Sequence, residues 1–219
     1  MENRRETKNS TKPDKRWTVM VYLAGQNRLF DEMVYALKEI KRAANEKNKP
    51  VALIAEFSSK WVFRKDVSPT KLATPRRFDL VTSKNYPAGS VARNFVDVKQ
   101  KEPYKNFIEE LGQFIYWGVK NYEAQHYMVV FSGDGGRVNS DFLPSLLKPG
   151  RKLRPYDLTA VFRQVNELAK RKIVFDIVGF DSCMMSMVEI GYGLKRHAKY
   201  IVGSTKMTWD GPSLTFCNR

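Results

Sequence analysis

Trp17-Thr-Val-Met-Val-Tyr-Leu-Ala24 is a nearly unbroken apolar run closed by Gly25. It is too short for a buried helix and lacks the alternation of a half-exposed strand, so it predicts a strand covered on both faces. That requirement constrains the chain more than any other feature, because such a strand needs a layer of helices on either side. After it, Met33, Leu37, Ile40 and Ala44 recur at helical spacing, and the stretch closes near Asn48 to Pro50. Val51 to Phe57 is a second apolar strand. Strand, helix, strand in this order is the unit from which parallel sheets are built.

The pattern continues. Phe107, Leu111, Phe114, Ile115 and Gly118 share a helical face, with Glu102-Pro103 as the expected first turn, and the helix feeds a strand from His126 to Ser132. A glycine turn, Gly133-Asp-Gly-Gly136, ends that strand, and the basic stretch up to Pro155 reads as a loop. Leu158, Val161, Phe162, Val165 and Leu168 make an amphipathic helix with Asp157 as its expected cap, leading into an apolar strand from Lys172 to Phe180. Met184, Met187, Val188, Gly191 and Leu194 then predict a helix beginning at Cys183, and Tyr200 to Gly203 a short strand. Between residues 58 and 100 only Trp61-Val-Phe63 and Arg77 to Val81 suggest strands, as a hairpin or edge pieces, among Pro69, Pro75 and Pro87.

At 219 residues the chain suits one domain with a sizeable core. Residues 1–16 hold six basic and three acidic side chains and no apolar periodicity, which predicts a disordered basic tail ahead of a single domain over 17–219. No apolar run reaches the roughly 18 residues of a membrane span, and the start does not resemble a secretory signal, so no membrane contact is expected. Cys183 and Cys217 are the only cysteines, too few for a disulfide framework or a zinc cluster, which fits a reducing, cytoplasmic setting. The net charge of +15 would suit a polyanionic partner. The basic residues are scattered without aromatic interleaving or a nucleic-acid motif, so charge alone makes a weak case for nucleic acid against a basic solvated surface.

In an open parallel sheet, functional groups gather beyond the carboxyl ends of the strands. Two such ends carry chemistry here, Phe131-Ser-Gly-Asp-Gly-Gly136 and Gly179-Phe-Asp-Ser-Cys-Met-Met185. At the start of a helix Cys183 would be favoured as a thiolate nucleophile; read blandly, it is a small thiol packed under Met184 and Met185. Asp181 would cap that helix, or set a negative charge beside the thiol for a cationic group, or do both.

These segments, with Trp17 to Asn27 and Asn121 to Tyr127, resemble the clostripain family of cysteine peptidases, within the caspase-like group, over about Trp17 to Gly211. The resemblance implies an α/β fold, a caspase-like three-layer α/β/α sandwich with a mostly parallel central sheet. It also implies an endopeptidase that cleaves polypeptides after Arg or Lys, using a cysteine nucleophile and a histidine base. Cys183 matches the nucleophile, while Asp181 and Asp210 match acidic residues that line the pocket for the basic side chain. No cofactor is implied by the residues themselves; calcium enters only through the resemblance.

Two departures shape the expectation. Where the family pattern has His-Gly after the strand, this chain has Asp134-Gly135, and an aspartate is a poor proton acceptor for a thiol near neutral pH. The only histidines, His126 and His197, fall at the wrong end of a strand and the far end of the helix expected after Cys183. At a strand rise of about 3.3 Å per residue, His126 lies some ~26 Å along the chain from position 134 and cannot substitute for a base there. The expected chain is therefore an inactive or very slow peptidase, or a pseudopeptidase that binds basic peptides or a protein partner without cutting. The sequence also ends soon after the pocket region, which predicts a domain truncated at its C-terminal end, completed by a missing segment or small subunit. Lys148, Arg151, Lys152 and Arg154 follow the glycine turn where the family resembles zymogens cut at a basic residue; a solvated loop is the plain alternative.

Overall fold

The computed structural model describes residues 15–25, 29–44, 50–58, 76–80, 95–96, 106–135, 143–144 and 152–206. Nine strands and four α-helices are described: β1 (Lys15–Ala24), α1 (Phe30–Ala44), β2 (Val51–Ser58), β3 (Arg76–Asp79), β4 (Phe95–Val96), α2 (Phe107–Asn121), β5 (Ala124–Ser132), β6 (Leu143–Pro144), β7 (Lys152–Leu153), α3 (Leu158–Ala169), β8 (Phe175–Asp181), α4 (Val188–Leu194) and β9 (Ala198–Val202).

Seven strands form one sheet in the order β4-β3-β2-β1-β5-β8-β9. The pairs β2–β1, β1–β5, β5–β8 and β8–β9 are parallel, and β3 and β4 add antiparallel steps at one edge. As the apolar run required, β1 is covered on both faces. Met20, Tyr22 and Ala24 point into one core with residues of α2, α3 and α4; Val21 and Leu23 point into the other with Met33, Ala36, Leu37 and Ile40 of α1. The result is the expected three-layer α/β/α sandwich.

Local chemistry explains the helix ends. In α1, Asp31 and Glu32 open the helix and Lys41 and Arg42 close it, each sign opposed to the helix dipole. Asn106 caps α2, its side chain accepting from the Glu109 amide at 2.9 Å. The helix therefore begins at Phe107 rather than at Pro103. Lys170 closes α3 in a left-handed conformation, φ 51°.

Other expectations are corrected. β1 already includes Lys15 and Arg16, the last two residues of the stretch 1–16, whose other residues lie outside the described ones. Asp157 makes no side-chain cap to α3; its carboxylate is taken by the Arg154 amide at 3.0 Å and the Arg154 Nε at 3.2 Å. The stretch after the glycine turn is not all loop, because β6 and β7 pair as a short antiparallel ribbon through Leu143 opposite Leu153, both buried. The strand expected near Arg77 is β3, whereas Trp61 to Phe63 lie outside the described residues, as do residues 1–14. No described helix is long and apolar enough to cross a membrane.

Candidate active site

β5 and β8 are neighbours, and their last paired residues are Ser132 and Asp181. Both strands run parallel, so the turns that follow them open on the same rim. Those turns are laced together. The Gly133 amide donates to the Asp181 carbonyl at 3.3 Å, and the Ser182 hydroxyl donates back to the Gly133 carbonyl at 3.0 Å. Two residues beyond Gly133, Gly135 lies directly on the main chain of Cys183: a Cβ there would overlap the Cys183 amide nitrogen and carbonyl. Asp134 and Cys183 are thus brought to one rim on touching turns, and both are half-buried.

Cys183 is not at a helix start. The helix expected there begins only at Val188, and Cys183 and Met184 form a turn with Met184 at φ 55°. The other side of this turn is held by the segment after β9. The Met184 amide donates to the Lys206 carbonyl at 3.2 Å and the Ser186 amide to the Ser204 carbonyl at 3.0 Å. Gly203 lets this segment close up, since a Cβ there would sit 3.1 Å from the Met185 carbonyl carbon. Pairing with residues 204–206 outcompetes the helical pattern of Met184 to Leu194. A helix dipole consequently does not act on the thiol, and Asp181 caps no helix; the residue before α4 is Met187, without a side-chain cap bond.

Asp181 is 8% exposed and lies on the α1 side of the sheet. Its Oδ2 accepts from the Ser132 hydroxyl at 2.8 Å. Burial pushes its carboxyl above the ordinary value, and the Ser132 bond opposes that shift. Asp210, Lys148 and Arg151 lie outside the described residues. Lys152 sits in β7, and Arg154 is held by Asp157 with its guanidinium 4.2 Å from the centre of the Tyr156 ring.

Both histidines occupy the opposite rim, as their chain positions predicted. His126 pairs with Trp17 across the sheet, its ring 4.8 Å from the indole, and its Nδ1 is 3.2 Å from Asp176. His197 stacks on Phe162 at 5.6 Å, and its carbonyl accepts from the first residue of β8 at 2.8 Å. Burial and the charges of Arg163, Lys172 and Arg196 lower its pKa. Ser132 and Ser182 were invisible as site residues in the sequence; small hydroxyls flanking the two turns were their only signal. Among the described residues no group of three or more His, Cys, Asp or Glu is arranged to hold a metal ion.

Comparison with known proteins agrees with this fold. The model of the clostripain family matches residues 89–212, more than half of the chain. Among solved structures, a secreted C11 cysteine protease from Bacteroides thetaiotaomicron in complex with an irreversible peptide inhibitor superposes with a TM-score of 0.61 at 20% identity, over 90% of this chain and 51% of that one. A second structure of a secreted C11 cysteine protease from that organism, "iotapain", gives 0.61 at 16% identity, over 90% and 54%. An inactive zymogen C11 protease from Parabacteroides distasonis gives 0.54 at 24% identity, over 92% and 51%. The chain thus spans about half the length of these structures, and at such identities the likeness concerns the fold. No curated protein matches. The fold is caspase-like, and by its family match the chain belongs to the clostripain family of cysteine proteases.

Proposed function

We propose that this chain is the scaffold of a cysteine endopeptidase that cleaves polypeptides after Arg or Lys, with Cys183 as nucleophile and Asp134 where the general base belongs, and that it turns over slowly or not at all. The observation that carries the reading is the seating of the Asp134-Gly135 turn on the main chain of Cys183, with both histidines on the far rim. In this reading Asp181 and Asp210 supply charge for a basic side chain. Lys148, Arg151, Lys152 and Arg154 form the processing stretch in this reading, the first two between β6 and β7, Lys152 in β7 and Arg154 just after it.

The deciding experiment restores the base. A positioned general base contributes about 10² to 10⁴ in rate, so Asp134→His should raise cleavage of an Arg-containing peptide by that order, and adding Cys183→Ala should abolish it. A folded Asp134→His variant without turnover favours the second reading. In that reading the chain is a pseudopeptidase that holds basic peptides at the same rim, which the remoteness of His126 and His197 favours.

A further inference from the structure

We infer that Ser132 is a positioning residue for recognition of the basic side chain: its hydroxyl holds one oxygen of Asp181, so that the other is presented to the guanidinium. The inference rests on the proposed reading of Asp181 as a recognition residue and adds what orients it. Ser132 and Asp181 are opposite each other at the last step of the β5–β8 ladder, so their bond spans the strand that leads to Asp134 and the strand that leads to Cys183. The hydroxyl also touches Met33 Sδ of α1 at 3.5 Å. It has one proton, and a carboxylate oxygen at 2.8 Å is a far better acceptor than a thioether at 3.5 Å, so the proton goes to Asp181 while the sulfur fixes the hydroxyl from behind.

Asp181 needs such a partner. It is buried, and among the described residues Ser132 is the only side chain that donates to it; Oδ1 receives no hydrogen bond from them. A carboxylate in that setting is disfavoured as an ion and its side chain is otherwise untethered; the Ser132 bond opposes the first effect and, by fixing Oδ2, leaves Oδ1 aimed. β9 stops pairing with β8 at Gly179, two residues short of Asp181, so strand pairing does not seal that flank of the carboxylate.

The test measures binding of N-acetyl-arginine amide and N-acetyl-citrulline amide, alike in shape but charged and neutral, to the full chain. The unsubstituted chain should prefer the arginine probe, and Asp181→Asn should lose most of that preference. Ser132→Ala should reduce it about tenfold, the scale of one hydrogen bond to a charged group, while Ser132→Thr retains it. With Asp181→Asn already present, Ser132→Ala should change nothing further. A merely structural serine would move the melting temperature but not the ratio between the two probes. Preference unchanged in Ser132→Ala but lost in Asp181→Asn overturns the role of Ser132 and leaves that of Asp181 standing. Preference that survives Asp181→Asn, or is absent from the unsubstituted chain, overturns both. If Ser132→Ala does not fold, Ser132→Cys, a weaker donor of similar size, decides: it must lose preference where Ser132→Thr keeps it.

Discussion

At Gly135 the space for a side chain is taken by the main chain of Cys183, so the only residue that fits is the one without a Cβ. Gly135→Ala has to push the two turns apart. The neighbour is backbone, pinned on its other side by residues 204–206, and cannot yield as a flexible side chain would. The expected cost is about 1–3 kcal/mol of stability, with slower alkylation of Cys183 by an Arg-chloromethyl ketone. Thermal melts and labelling rates check both; a variant that labels at the unsubstituted rate would show that the contact does not shape the site. Ser182 acts on the same pair of turns through its bond to the Gly133 carbonyl, and Met184 bears the left-handed conformation that turns the chain away from β8.

At the scale of elements, α2 is tied to the sheet by a buried polar group. Glu110 of α2 accepts from Tyr22 of β1 at 3.1 Å and from Ser58 of β2 at 3.4 Å, next to the Glu56–Arg77 pair of β2 and β3. Burial, with the charge of Glu56 added to it, pushes its carboxyl from the ordinary 4.5 to about 8. The unfolded chain gives up this proton near the lower value and the folded chain near the higher one. Between them the folded state holds more protons, so stability falls as pH rises through that window and levels off above it. Glu110→Gln never ionises. Its stability relative to the unsubstituted chain should therefore grow from pH 5 to pH 8, by at most about 1.4 kcal/mol per pH unit. Melting curves at several pH values test this, and parallel profiles for the two proteins would refute it. This arrangement could not be read from the sequence, because Glu110 lies among helix-forming residues whose period says nothing of its depth. β1, β2, β5 and β8 were legible because a strand buried on both faces writes itself as an apolar run. β3 and β9 were also expected, near Arg77 and Tyr200, whereas β4, β6 and β7 are two residues long each and too short to leave a pattern. Of the site, Asp134, Asp181 and Cys183 could be placed on one rim from strand order alone. The turn at Cys183 could not, since its helical-looking methionines are overridden by pairing with residues that follow β9.

Across the whole molecule the two rims of the sheet differ in character. One carries His126, Asp176 and Lys199, whose ammonium lies 2.7 Å from Asp176; burial raises the Asp176 carboxyl, but bonds from Lys199, the Tyr127 amide and His126 together hold it below its ordinary value. The other carries the Asp134 and Cys183 turns. The seam between β5 and β8 runs from rim to rim through the middle of the larger core, where Phe131 meets Phe162 at 6.4 Å and Phe180 at 5.8 Å. Along the chain β5 leads to β8 through β6, β7 and α3, and Leu143 and Leu153 of the β6–β7 ribbon are anchored in the same core. Severed within that connection, each piece would keep half of a core it cannot bury alone. The two halves are therefore a complementing pair: coexpressed as separate chains broken between Leu147 and Lys148, they should copurify in equal amounts, and a half that folds by itself would contradict this.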